Sequence, residues 1–184
     1  MKTFEKGWYV LYVRSRMEKK VHNTLVENNL ESFLPLLKTV KQWSDRKKVI
    51  FEPLFKSYVF VYLNSQKEFY TAHNQNGVCT FLSFNNEFVR ARNEEIDQIK
   101  LLTDCNNVHQ IKTVNEYFAP GDQCIVSSGC LKGLQCEVIR INNEHKVLVR
   151  LHSIGQSILA TLPYQQLNSI KSIAPPNSEV TAVR

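Results

Sequence analysis

The stretch FEPLFKSYVFVYL, residues 51–63, decides how the chain is read. Its second half, SYVFVYL, is a run of β-branched and aromatic residues that predicts a buried strand. Pro53, Leu54, Phe55 and Lys56 introduce it, an apolar pair fenced by a strand-breaking proline and a charge. Aromatics at 55, 58, 60 and 62 fall on both faces of the strand. One face can fill a core. The other needs a helix, a second domain or a partner to cover it.

Working outward, WYVLYVR (8–14) is a second strand candidate. The spacing of Ser15 and Glu18 predicts a capping box, opening the amphipathic helix MEKKVHNTLVENN with Met17, Val21, Thr24 and Leu25 on one face. FLPLLKTV (33–40) reads as extended, with Pro35 suited to an edge. KQWSDRKK is a charged tip, and KVIFEPLF returns to complete a long hairpin. KEFYTAHNQ predicts a short helix ended by Asn76 and Gly77, GVCTFLSF a strand, and NEEIDQIKLLTD a helix with acids in its first turn. Residues 8–104 therefore read β-α-β-β-β-α-β-α, an antiparallel α+β sandwich. Residues 105–118 lack clear periodicity and suit a linker. From Ala119 only short strands remain (QCIVSSG, CEVIRI, KVLVRL, SILATLP), with NNEH as a turn, which predicts a small β-barrel. The tail from 172 to 184 reads as disordered.

Charge is uneven. The chain holds 23 basic and 17 acidic residues, and residues 1–100 carry 16 of the former and 11 of the latter. The first half thus carries most of the positive field, which attracts nucleic acid or another acidic surface. No apolar run is long enough to span a membrane and the start has no signal-like segment, so a cytoplasmic protein without membrane contact is expected. The five cysteines (79, 105, 124, 130, 136) form no CxxC and read as reduced thiols acting as small hydrophobes, without a metal. The five histidines are scattered, and no P-loop, GxGxxG, HExxH or nucleophile elbow occurs. Glu94 and Glu95 read as first-turn helix charges. No catalytic residue, enzyme activity or cofactor is expected.

WYVLYVRSRMEKKV, EPLFKSYVFVYL, the Gly77–Val78 pair and PGDQCIVSSGCLKGLQCEV occur here in an order that resembles the NusG family of transcription elongation factors. The resemblance spans nearly all of residues 8–171. It implies a NusG-type N-terminal α/β sandwich over 1–104, a linker over 105–118 and a KOW (SH3-like) barrel over 119–171. It also implies that an apolar depression holding Tyr12, Phe55, Tyr58 and Phe60 clasps the clamp helices of RNA polymerase. Arg14, Arg16, Lys19 and Lys20, with the tip residues Arg46, Lys47 and Lys48, would meet the non-template DNA strand or nascent RNA. Lys56 and Ser57 replace the proline and glycine usual in the general factor, which resembles the specialised RfaH and UpxY-type antiterminators of capsular polysaccharide operons. The KOW pattern matches at Pro120, Gly121, Asp122, Gly129 and Gly133, but Cys136 stands where a third glycine is usual. HSIGQSI (152–158) replaces the loop that binds a ribosomal protein, so that contact is not expected to be kept. A general elongation factor and an RNA-binding or ribosome-associated KOW protein are the rival readings. The second predicts basic charge on the barrel, where residues 101–184 net only +1 (7 basic, 6 acidic).

Overall fold

A computed structural model describes residues 4–42, 46–105, 109–114, 122–126, 129–141, 144–161 and 170–172. Its first sheet is antiparallel. β1 (Gly7–Val13) lies beside β5 (Tyr58–Leu63), with β2 (Glu31–Phe33) on the outer edge of β5. The other edge of β1 is shared by β6 (Val78–Phe81) along its end and β9 (Arg90–Ala91) along its start. Between these two a small hairpin, β7 (Ser83–Phe84) and β8 (Glu87–Phe88), turns through Asn85 and Asn86, both at positive φ. Residues 77–84, expected as one strand, are thus divided between β6 and β7. Asparagine tolerates the left-handed region well enough to make so tight a turn.

β1 and β5 are apolar on both faces. Tyr9, Leu11, Val13, Val59, Val61 and Leu63 point to one side, where α1 (Glu18–Glu27) and α2 (Gln66–His73) bury them under Val21, Leu25, Phe69 and Ala72. Gly77 is needed for this packing. It takes φ +98, and a Cβ there would lie 3.0 Å from both Met17 and Val21. Ser65 caps α2 by accepting a hydrogen bond from the Glu68 amide. The expected Ser15 cap of α1 is not formed. Met17 takes the N-cap position without a side-chain bond, and Arg16 before it has φ 66. Glu18 is not free to reach back, because its carboxylate accepts from the Ser57 amide at 2.8 Å and is buried there.

The expected single extended segment 33–40 breaks at Pro35, which has no amide to continue a ladder. β3 (Leu36–Gln42) and β4 (Lys47–Pro53) then form a separate two-stranded hairpin with Val40, Val49 and Phe51 exposed. Trp43 in its tip lies outside the described residues.

The second sheet has six antiparallel strands in the order β10 (His109–Val114), β14 (Gln156–Thr161), β13 (Glu144–Leu151), β12 (Gln135–Ile141), β11 (Asp122–Val126) and β15 (Ile170–Ser172). β10 lies within the segment expected as linker. Ile111, Lys112 and Thr113 alternate along a strand paired with β14, a pattern too short to stand out in sequence. Gly129 and Gly133 take positive φ, as the KOW-like pattern predicts, whereas Pro120 and Gly121 lie outside the described residues. Cys136 sits in β12 directly opposite Cys124 and is absent from the positive-φ positions, so a side chain is tolerated. Residues 173–184 of the expected tail lie outside the described residues.

α3 (Asn93–Asp104) joins the halves. Ile96, Ile99 and Leu102 belong to one continuous apolar cluster with Trp8, Val10, Phe55 and Phe60 of the first half and Val126, Leu131, Leu134 and Val149 of the second. The second face of SYVFVYL is therefore covered from within the chain.

Candidate functional site

Strand alternation places Trp8, Val10 and Tyr12 of β1 and Tyr58, Phe60 and Tyr62 of β5 on the same face. The register sets them in pairs: Trp8 with Tyr62, Val10 with Phe60, Tyr12 with Tyr58. Tyr12 and Tyr58 have ring centroids 5.9 Å apart, and Phe55 meets Phe60 edge-on at 5.7 Å. The structure thus gathers all four aromatic residues singled out in the sequence into one strip. Exposure grades along it. Phe55 and Phe60 are buried, Tyr58 is half-buried, and Tyr12 remains 45% exposed. Trp8, Phe33 and Tyr62 continue the strip, with Trp8 meeting Phe33 and Tyr62 edge-on. The i, i+2 spacing of Trp8 to Tyr12 and of Tyr58 to Tyr62 was the signal for two of them.

The turn into β5 shapes the exposed end. Ser57 has φ 64, a conformation that glycine adopts without penalty and serine does not. Three contacts hold it: its amide donates to Glu18, its carbonyl accepts from the Val13 amide at 2.9 Å, and Tyr58 N donates back to Phe55 O at 3.4 Å. The departure from glycine therefore keeps the glycine-like backbone and fastens it to α1.

Arg14, Arg16, Lys19 and Lys20 are all exposed, following Tyr12 along the end of β1 and the first turn of α1. Two cations in the first turn oppose the helix dipole, so an anion there relieves both. The ion pairs Lys41–Glu52, Arg90–Glu5, Lys100–Asp97 and Arg150–Glu137 involve none of these four. Lys47 and Lys48 pair with Gln42 and Lys41 across the end of the β3–β4 hairpin, Arg46 precedes them, and all three are exposed. The two basic groups therefore sit on separate elements.

Polar and covalent ties add to apolar contact in holding the second sheet against this face. Glu95 accepts from the Ser153 amide at 3.0 Å and, with its other oxygen, from the Arg92 amide that opens α3. Gln98 accepts from the Gln135 amide at 2.8 Å. Cys105, at the end of α3, is disulfide-bonded to Cys130 in the turn between β11 and β12. This corrects the expectation of five reduced thiols: residues 25 apart in sequence meet only through the tertiary fold, which no spacing rule reports. Glu95, read as a first-turn charge, also proves to be a bridge.

A cleft of about 300 Å³ beside these ties is lined by Glu95, Cys136, Glu137, Arg150 and His152. Its chemistry is already satisfied. Glu137 takes a bidentate pair from Arg150 at 2.6 and 2.9 Å. Burial, then the neighbouring Cys124 and Glu137, push the Cys136 thiol up to about 12, so it is not a nucleophile at neutral pH.

A helix-backed sheet whose other face offers an aromatic strip beside exposed cations has the make-up of a binding surface. Residues 6–100 match the family model described as "Transcription termination factor nusG". The chain belongs to the NusG family of transcription factors. Among solved structures it is similar to that described as "Domain interaction in Thermotoga maritima NusG", at 20% identity over 92% of this chain and 98% of that one, with a TM-score of 0.49. It is also similar to conformations A and B of the MjSpt4:Spt5 complex, at 14% and 15% identity over 90% and 92% of this chain and 97% and 99% of those, each with a TM-score of 0.31. Among the described residues, no helix is long and apolar enough to cross a membrane.

Proposed function

We propose that this chain is an antitermination factor that grips the clamp helices of RNA polymerase with Tyr12, Phe55, Tyr58 and Phe60. The observation that carries this reading is the Tyr12–Tyr58 pair, which lies at the open end of the strip and leads into Arg14 and Arg16. Aromatic side chains with few rotamers are efficient interface anchors. Phe55 and Phe60 join the contact once the C-terminal sheet moves aside, so residues 1–104 act as the polymerase-binding domain and 119–171 as a KOW barrel, with β10 in the connection between them. Arg14, Arg16, Lys19 and Lys20 hold the displaced non-template strand or nascent RNA, and Arg46, Lys47 and Lys48 add a second contact. Lys56–Ser57, with Ser57 in a glycine-like conformation, favours the operon-specific branch that serves polysaccharide operons over the general factor.

No chemistry is required of such a factor. Contacts made only in the elongating state raise the free energy of paused states relative to it. A bias of about 1.4 kcal/mol changes a pause equilibrium tenfold. The test is a pull-down of purified bacterial RNA polymerase by wild type and by Tyr12→Ala/Tyr58→Ala, with the fold checked by circular dichroism. Loss of binding by a folded variant supports the reading; full retention removes the strip from the interface. Charge reversal at Arg16 and Lys19 should flatten the salt dependence of binding to bubble DNA.

A further inference from the structure

We propose that Cys105 and Cys130 form a redox-controlled latch, whose disulfide holds the C-terminal sheet over the aromatic strip and whose reduction frees it. Cys105 ends α3 and is buried, while Cys130 lies on the outside of the β11–β12 turn and is exposed. Their Cα atoms are 5.7 Å apart, within the span a disulfide needs. Backbone hydrogen bonds fix residues 129–134 around Cys130. Lys132 N donates to Gly129 O, Gly133 N to Val126 O and Leu134 N to Leu131 O, and the Leu131 and Leu134 side chains are fully buried in the shared cluster. Docking itself therefore delivers Cys130 to Cys105. Cys124 and Cys136, though opposite one another in β11 and β12, are buried and not disulfide-bonded, and Cys79 is exposed on β6.

The position of the link argues for a switch. Among the described residues it is the one disulfide, and it spans an interface whose polar ties include hydrogen bonds from the Ser153 amide to Glu95 and from the Gln135 amide to Gln98. Transcription takes place where thiols are kept reduced, and disulfides formed there are as a rule transient and redox-sensing. Exposure of Cys130 leaves the bond open to thiol exchange, which requires access to a sulfur. The oxidant is a small disulfide, RSSR. The Cys130 thiolate attacks one of its sulfurs, giving a mixed disulfide and releasing RS⁻. The Cys105 thiolate then attacks the Cys130 sulfur and expels the second RS⁻. Two protein thiols lose two electrons and two protons in total, and RSSR becomes two RSH. A dithiol reductant reverses both steps. The consequence for transcription rests on the polymerase reading above; the latch does not.

The test uses the full chain carrying Cys79→Ser, to prevent pairing between molecules, and Trp43→Phe, to leave Trp8 as the single reporter in the covered face. Protein poised with oxidised or reduced glutathione is peptide-mapped, and Trp8 exposure is read by acrylamide quenching. The expected result is a Cys105–Cys130 link in the oxidised sample, greater quenching after reduction, and no response in a Cys130→Ser variant. If the latch lowers the open fraction from about 10% to about 1%, polymerase binding weakens about tenfold on oxidation. Absence of the link under oxidation, or a link with quenching equal in both states, overturns the proposal. A link with the expected quenching change but equal polymerase binding in both states upholds the latch and removes the aromatic strip from the polymerase contact.

Discussion

The two faces of the first sheet are equally apolar but covered in different ways. One lies under α1 and α2, elements adjacent in sequence to the strands they cover, and α1 is stitched to the sheet by His22, Glu18 and the close approach at Gly77. The other is covered by α3 and by strands that begin about fifty residues after the end of β5, tied by two accepted amides and one disulfide. Burial is nearly complete in both, with Leu25 and Leu134 each at 0% exposure. Buried area therefore does not distinguish a permanent cover from a detachable one. The difference lies in how far along the chain the covering elements sit, and in whether a tie between them can be opened chemically, as a disulfide can.

Truncation on each side breaks this comparison most directly. Leu25→Ala should lower global stability by about 3 kcal/mol in urea denaturation, because it opens a cavity between α1 and the sheet. Leu134→Ala removes the same atoms from the detachable cover. It should expose Trp8 to quencher at urea concentrations where far-ultraviolet circular dichroism of the sheet is still intact. Loss of both signals together in both variants would mean that the covers are equivalent.

The helix-covered face was legible in sequence because its pattern is local. Val21 and Leu25 repeat at helical spacing, SYVFVYL alternates, and Gly77 punctuates. The aromatic strip was legible too, since strand alternation alone groups Tyr12, Tyr58 and Phe60. Its cover was not. Nothing near Phe55 announces Leu131 or Leu134, and neither Glu95 nor Cys105 carries a local mark of its distant partner. The misread Ser15 cap has the same origin. Glu18 stands at capping-box spacing, but the Ser57 amide, thirty-nine residues on, offered a partly buried donor that water satisfies less well than it satisfies a helix end.

That contact makes a smaller test of how firmly the permanent cover is fastened. Glu18→Ala leaves the Ser57 amide without its acceptor and should cost about 2 kcal/mol of stability. Ser57→Gly relieves the left-handed backbone at some cost in unfolded-state entropy, and should gain about 0.5 kcal/mol. Both are read as shifts in urea midpoint at constant slope. Equal midpoints for Glu18→Ala and wild type would show that α1 is held by packing alone.

The smallest expected effect is a pH dependence confined to the helix-covered side. His22 of α1 meets Ser32 Oγ of β2 at 2.9 Å, and the Ser32 hydroxyl donates its single proton to Phe60 O at 3.2 Å. With the Ser32 proton directed to Phe60 O, Nδ1 of the neutral ring is the donor to Ser32 Oγ. Burial disfavours the imidazolium and holds the folded-state pKa of His22 below the ordinary value of 6.5. The unfolded chain thus binds a proton first as pH falls. Stability contributed by neutral His22 is complete above pH 6.5, declines as pH drops toward the lower folded-state pKa, and levels off beneath it. Between about pH 7.5 and 5.5, above the range where most carboxylates titrate, the urea midpoint of wild type should fall and that of His22→Gln should fall less. Parallel curves would assign the acid response to another group. A wild-type decline that tracks α1 signals while Trp8 quenching stays constant would tie the response to the permanent cover alone.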